Sequence, residues 1–232
     1  FTLENLRPFV ESWYDRQAAV NSILLGCSVG VAGTVLGFIF AFAVTRLSLP
    51  KWLCTAVSAV TLLSLISPPF TSSIALTLSL GPNGILLDFF GLGNFNFYGF
   101  WGTFISETLT FFPVAFMTLS TILARIDPNL EDAAYSLGAS SFKVFRTVTL
   151  PLAAPGIANA FLLVFSCSLA DFATPQVLGG HSFPVLPTQA YLVITGMYDF
   201  KGGAALSFML LIPAIIVYSL QRWWVGKKSY VT

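Results

Sequence analysis

The chain has 232 residues, 56% of them hydrophobic and 9% charged, against about 25% charged in an ordinary globular domain. That deficit points to lipid as the main solvent and argues against a water-soluble domain. The net charge of +1 supplies no bulk attraction for nucleic acid or for an anionic partner. Cys27, Cys54 and Cys167 lie in or at the ends of apolar runs without a C-x-x-C pair. They read as small core side chains rather than disulfides or reactive thiols.

The fold class expected is an all-α integral membrane protein with about five crossings. Residues 1–17 mix charges with Trp13 and Tyr14 and read as a short interfacial helix with an aromatic anchor. The transmembrane domain expected covers 18–224. Its first span runs from Ala18 to Val44. Gly26, Gly30, Gly33 and Gly37 fall on one helical face of it, where a neighbouring helix can approach closely. Arg46, Pro50 and Lys51 mark a turn. The second span, Leu53 to Leu80, is interrupted by Ser67-Pro68-Pro69. Two prolines oppose a straight helix, and a broken helix near mid-bilayer is where transporters often place their pathway. A kink that merely improves packing is the plain alternative.

Residues 81–97 are rich in Gly and Asn, with Asp88 the one acidic residue, and read as an outer loop with a short surface helix. The third span, Tyr98 to Ala124, carries Glu107 and Pro113, and Arg125 marks its inner end. A polar stretch, 127–151, comes next. Asp127 can cap a helix and Pro128 suits its first position. Leu130, Ala133, Ala134 and Leu137 share one face. Gly138 offers a stop, and Ser140 or Ser141 can cap a second short helix that Leu150-Pro151 closes. The fourth span is expected from Gly156 to Val177, with Asp171 near its outer part. A long loop succeeds it, in which Pro187 opens a short helix. The fifth span, Ala204 to Leu220, contains Pro213. Arg222, Trp223, Trp224, Lys227 and Lys228 form a basic aromatic anchor, and 225–232 reads as a cytoplasmic tail or linker. The chain starts at Phe1 and stops abruptly, which suggests a segment of a longer polypeptide.

Five crossings place Arg46, Lys51, Arg125, Lys143, Arg146, Arg222, Lys227 and Lys228 on one side, and Arg7, Arg16 and Lys201 on the other. The richer side should be cytoplasmic. The N-terminus then faces out, the C-terminus faces in, and 127–151 lies in the cytoplasm.

No catalytic constellation is visible. The single histidine, His181, falls in an expected outer loop. No metal-ligand cluster and no nucleophile–His–acid set can be assembled. The chain lacks a phosphate-binding loop, so it is expected to hold no cofactor. Glu107 and Asp171 are the ionisable residues placed most clearly within spans. A carboxylate there should face the bundle interior or a watery cavity. They and the Pro68-Pro69 break are the candidates for a translocation pathway. The plain alternative is acids bonded to backbone or hydroxyl donors.

Three residues separate Asp132-Ala133-Ala134 from Gly138, and nine more separate Gly138 from Val148, Thr149, Leu150 and Pro151. This spacing resembles the Glu-Ala-Ala loop of binding-protein-dependent ABC importer permeases, with Asp132 in place of Glu and Val148 in place of Ile. Glu131, one place early, could partly substitute. The resemblance implies a coupling helix between the third and fourth spans, docking on a cytoplasmic ABC ATPase dimer. The coupling residues would be Leu130, Glu131, Asp132, Ala133, Ala134, Leu137, Gly138, Ala139 and Ser141. Asp132 would meet polar or basic groups on the ATPase, Ala133 and Ala134 would allow close approach, and Gly138 the turn away. ATP and magnesium would sit on the ATPase. A second permease half or subunit, a periplasmic or extracellular solute-binding protein and membrane lipid complete the implied partners, in a bacterial inner membrane. LADFATPQVLGG and FPVLPTQAYLVITGMYDFKGGAALS resemble ferric-iron permeases, often fused duplicates of two halves. DFATPQVLGG also resembles polyamine permeases. A secondary transporter or channel without ATP coupling, and a scaffold that moves nothing, are readings from other classes.

Overall fold

A computed structural model describes residues 12–47, 49–66, 68–81, 84, 85, 89 and 97–227. Ser67, Asp88, Lys228, the segment 1–11, most of the loop expected at 81–97 and the end of the expected tail lie outside the described residues.

Helix α1, Trp13–Arg46, spans 34 residues, about 51 Å at a rise of about 1.5 Å per residue. Ser12 caps it, its hydroxyl accepting from the Asp15 amide at 3.3 Å. Residues 13–17 are therefore the opening of the first membrane helix, and no separate interfacial helix forms there. The helix continues through them because Trp-Tyr-Asp-Arg-Gln contains no Gly or Pro to break it.

α2, Lys51–Ile66, and α3, Pro69–Leu80, bend by 103° at their junction. Pro69 is the first residue of α3 and Pro68 precedes it in extended geometry. The prolines therefore start a new helix, where a missing amide leaves no bond unmade. The pair begins beside the foot of α1, with Cys54 Sγ 3.9 Å from the Val44 carbonyl. It ends near the opposite end of the bundle, where Ser73 and Ser106 share a hydrogen bond of 3.4 Å.

α4 is Phe100–Arg125 and α5 is Pro128–Ser136. α6, Ser141–Val144, passes through a π turn, Phe145–Thr149, directly into α7, Leu150–Ala170. Two expectations change here. The helix after Gly138 is not a separate short one, because Leu150-Pro151 continues the helix instead of closing it. Pro151 falls in the first turn of α7, just beyond the wide turn in which the Leu150 amide donates to the Phe145 carbonyl. The fourth span also ends at Ala170, not Val177. Asp171 adopts extended geometry, and its Oδ1 accepts the amides of Ala173 at 2.9 Å and Thr174 at 3.4 Å. It thereby starts α8, Ala173–Leu178. α9, Leu186–Gly196, has Pro187 in its first turn as expected. α10 runs Phe200–Lys227, longer than 204–220, so Arg222 and Trp223 lie in its last turns.

Among the described residues, four helices are long and apolar enough to cross a membrane, and the bent pair raises the number to five. α1, α4 and α7 enclose the main core of Leu25, Val29, Phe116, Leu119, Leu123 and Val164. The glycine face of α1 lies against it. A Cβ at Gly30 would come within 2.7 Å of the Phe161 ring, and one at Gly37 within 2.7 Å of the Phe116 backbone nitrogen. The opposite face of α1, including Val31, Val35 and Ile39, is exposed, as a lipid-facing surface should be. At the far end from Arg46, α9 is pinned to α1. Ser22 Oγ accepts from the Leu186 amide at 2.8 Å, and Asn21 donates to the Pro184 carbonyl at 2.9 Å.

Candidate functional site

The stretch between α4 and α7 forms an elbow that projects from the bundle. Asp127 Oδ1 accepts from the Asn129 amide at 3.0 Å, capping α5 as its sequence suggests. α5 has no buried residue. Its end is a Schellman motif. The Gly138 amide donates to the Tyr135 carbonyl at 2.9 Å and the Ala139 amide to the Ala134 carbonyl at 3.1 Å. Gly138 holds φ at +81°, a conformation that costs an L side chain but not glycine. Leu130, Asp132, Ala133, Leu137, Gly138 and Ser141 are exposed, while Glu131, Ala134 and Ala139 are partly covered. Leu137 is 89% exposed and Phe142 72%. A short helix thus offers apolar side chains, and the Asp132 carboxylate, away from the bundle. Such a surface suits a protein partner better than open water.

Glu131 has a different environment from Asp132. Its Oε1 accepts from the buried Thr149 hydroxyl at 2.7 Å and lies 3.4 Å from Arg46 Nε. Arg46, at the end of α1, also donates through Nη2 to the carbonyls of Leu123 at 3.1 Å and Ile126 at 3.2 Å. Those carbonyls belong to the end of α4. Neither Arg46 nor Thr149 stands out in the sequence as more than an anchor and a spacer.

The pathway candidates sit elsewhere. Glu107 is fully buried in the first third of α4, held by the Ser168 hydroxyl of α7. It faces the bundle interior, as an intramembrane acid must. Its Oε1 has no hydrogen-bond partner. Asp171 follows three residues after Ser168, at the end of the same helix. Pro68 and Pro69 are at the α2–α3 junction. The bend opens a groove of about 580 Å³, whose lining includes Phe40, Thr61, Ser64, Ser72, Leu109 and Phe112. Glu107, Asp171 and Pro68 are not among its lining residues. Sequence reasoning also missed a polar link between α7 and α10, in which Gln221 donates to Asn159. Interhelical amide pairs of this kind hold membrane helices together. His181 is exposed, and no cluster of three or more His, Cys, Asp or Glu suited to a metal occurs among the described residues.

Residues 33–229 match the family described as binding-protein-dependent transport system inner membrane component. The ferric transport system permease protein FbpB of Actinobacillus pleuropneumoniae is 39% identical over 218 residues, covering 91% of this chain and 31% of that protein. The spermidine/putrescine transport system permease protein PotC of Haemophilus influenzae is 27% identical over 220 residues, covering 91% of this chain and 80% of its own. Among solved structures, a chain of the bacterial alginate ABC transporter, in complex with its alginate-bound periplasmic protein, superposes with a TM-score of 0.82. It shares 16% identity, over 96% of this chain and 82% of that one. The chain spans about a third of the length of the ferric relatives it matches.

Proposed function

The chain belongs to the binding-protein-dependent transport system inner membrane components, and from that premise we propose that it forms one half of the membrane pathway of an ATP-driven importer. The observation that carries this reading is the exposed elbow, closed at Gly138 by a Schellman motif. It is a stiff, solvent-facing helix joined directly to two membrane helices. Leu130, Leu137 and Phe142 give an ATPase something apolar to grip, and Asp132 gives it a charge. Closure of two ATPases on ATP would displace the elbow and tilt α4 and α7 with it. ATP and magnesium belong to that partner. A second permease half, carried elsewhere in the same polypeptide or by another subunit, completes the pathway, and a binding protein delivers the solute.

The elbow faces the cytoplasm in this reading, with the basic residues Arg46, Arg125, Lys143 and Arg146 around it. The solute proposed is ferric iron. The ferric permease shares 39% identity with this chain, and the polyamine permease 27%. Iron(III) favours oxygen donors. No dense donor cluster occurs among the described residues, so selection falls to the binding protein. The polyamine reading keeps one support, since the match covers most of PotC.

The test is reconstitution of the full-length permease with its ATPase and binding protein in proteoliposomes. ATP-dependent uptake of ferric iron, with no uptake of spermidine, is the result expected. Spermidine uptake would move the assignment to polyamines. Solute flux that runs without any ATPase would overturn the importer reading.

A further inference from the structure

We propose that Arg46 is a positioning residue that, through Glu131, fastens the elbow to the inner ends of α1 and α4, so that elbow, α1 and α4 move as one body. Three chain segments meet at its guanidinium. Nη2 donates to the Leu123 and Ile126 carbonyls at 3.1 and 3.2 Å, at the end of α4. Nε lies 3.4 Å from Glu131 Oε1 in the first turn of α5. Arg46 itself closes α1. The same Glu131 oxygen takes the Thr149 hydroxyl at 2.7 Å, which ties in the π turn at the head of α7.

The electrostatics agree at every contact. A cation is favoured at helix C-termini and an anion in a first turn; Arg46 lies in the last turn of α1 and bonds the end of α4, while Glu131 sits in the first turn of α5. The side chains of Arg46 and Glu131 are 12% and 16% exposed, so water screens the pair much less than it would on an open surface. Nη2 donates to both carbonyls, while Nε makes no hydrogen bond and faces the Glu131 carboxylate as a charge; an ammonium would be a single compact charge without that planar spread. The π turn serves the same junction. One extra residue per turn rotates the remainder of the helix by about 100°, and Thr149 is thereby buried against Glu131.

The sequence places Glu131 beside Asp132, and the two divide the work. Asp132 points to the partner, and Glu131 holds the elbow to its own bundle. Without this fastening, the elbow would be joined to α4 and α7 only through short connecting turns. An ATPase could then drag it without moving α1.

The role in transport rests on the coupling reading, whereas the fastening itself is testable without a partner. Hydrogen exchange of the full-length permease in nanodiscs measures the second directly. In Arg46→Leu, the amides of Leu137, Gly138 and Ala139 should exchange at least tenfold faster than in the wild type. The amides of Leu186 and Gln189, at the other end of the bundle, should be unchanged. Glu131→Gln keeps an acceptor for Thr149 and should give a smaller acceleration of the same amides. Arg46→Lys should fall between Arg46→Leu and the wild type. Unchanged exchange in both Arg46→Leu and Glu131→Gln would overturn the proposal.

In the reconstituted importer, Arg46→Leu should keep ATPase association within about twofold and lose at least tenfold in solute moved per ATP hydrolysed. Faster exchange with unchanged solute per ATP would overturn the transport role. An ATPase that fails to bind even the wild type would sink the coupling reading instead, while the exchange result would still decide the fastening.

Discussion

Replacing Gly138 with alanine separates backbone conformation from packing. Gly138 sits at φ +81°, and a Cβ there meets nothing within 4 Å. The penalty is therefore conformational, about 1–2 kcal/mol for an L side chain in the left-handed region. That amounts to a factor of about 5–30 in a two-state ratio. Where the elbow opens to escape the strain, the docking-competent fraction falls, and apparent affinity falls with it by up to the same factor. Asparagine tolerates this conformation better than alanine, so Gly138→Asn should lie between the two. The assay is titration of purified ATPase onto full-length permease in nanodiscs, alongside thermal unfolding of the permease alone. Dissociation constants should rise in the order wild type, Asn, Ala, with little change in unfolding temperature, because the site is exposed and outside the core. Equal affinities for all three proteins would refute the link between the elbow's termination and docking. A large drop in unfolding temperature for Gly138→Ala would refute the claim that the effect is local.

Gly37→Ala should behave in the opposite way. Its Cβ would lie 2.6 Å from Ala115 Cβ and 2.7 Å from the Phe116 backbone nitrogen, so the permease should lose about 1–3 kcal/mol in detergent unfolding, with Gly196→Ala, which meets nothing within 4 Å, as the stable control. Asp127→Ala removes the cap on the Asn129 amide and should cost α5 about 0.5–2 kcal/mol, read as faster hydrogen exchange at residues 129–133. Ser168→Ala strips Glu107 of its donor in a fully buried site and should destabilise the bundle by about 1–3 kcal/mol, measured as a lower unfolding temperature. Cysteines introduced at Ser136 and at Ser182 should react with an impermeant thiol reagent from opposite faces of the membrane, Ser136 from the cytoplasmic face; labelling of both from one face would overturn the proposed orientation.

Much of the architecture was legible because membrane helices are long and their signals local. Apolar runs marked every crossing. The spaced glycines of α1 foretold a close approach that Phe161, Val164 and Phe116 now supply. Asp127, Pro128 and Gly138 foretold both ends of α5. The errors lie where a local rule met a tertiary alternative. Proline read as a helix stop at Leu150-Pro151, but a π turn just ahead of it absorbed the register change, and the helix runs on from Ser141 to Ala170. The fourth span read as running to Val177; it ends at Ala170, and Asp171 takes backbone amides to start α8, the alternative weighed for that acid. Residues 13–17 read as part of a separate short helix, yet nothing in them interrupts α1, at whose first turn Trp13 and Tyr14 stand exposed.

The least legible feature was which of two adjacent acids faces the bundle. Glu131 and Asp132 are chemically alike, and motif spacing assigned the coupling role to Asp132 with Glu131 as a near substitute. Successive residues on a helix point about 100° apart, so one of the pair can turn inward only if the other turns out. What decides the choice is Arg46, 85 positions before Glu131 in the chain, together with Thr149 beyond the elbow. Neither partner shares a local period with α5. In the sequence Arg46 looks like any basic residue at the inner end of a span, where topology alone would account for it. Its bonds to the Leu123 and Ile126 carbonyls follow from the packing of α1 on α4, and so does the inward turn of Glu131. The glycine face of α1 thus acts at a distance. By letting α4 approach closely at Gly37, it sets Arg46 at the height of α4's last carbonyls, and so selects the acid that holds the elbow and the acid left free for a partner.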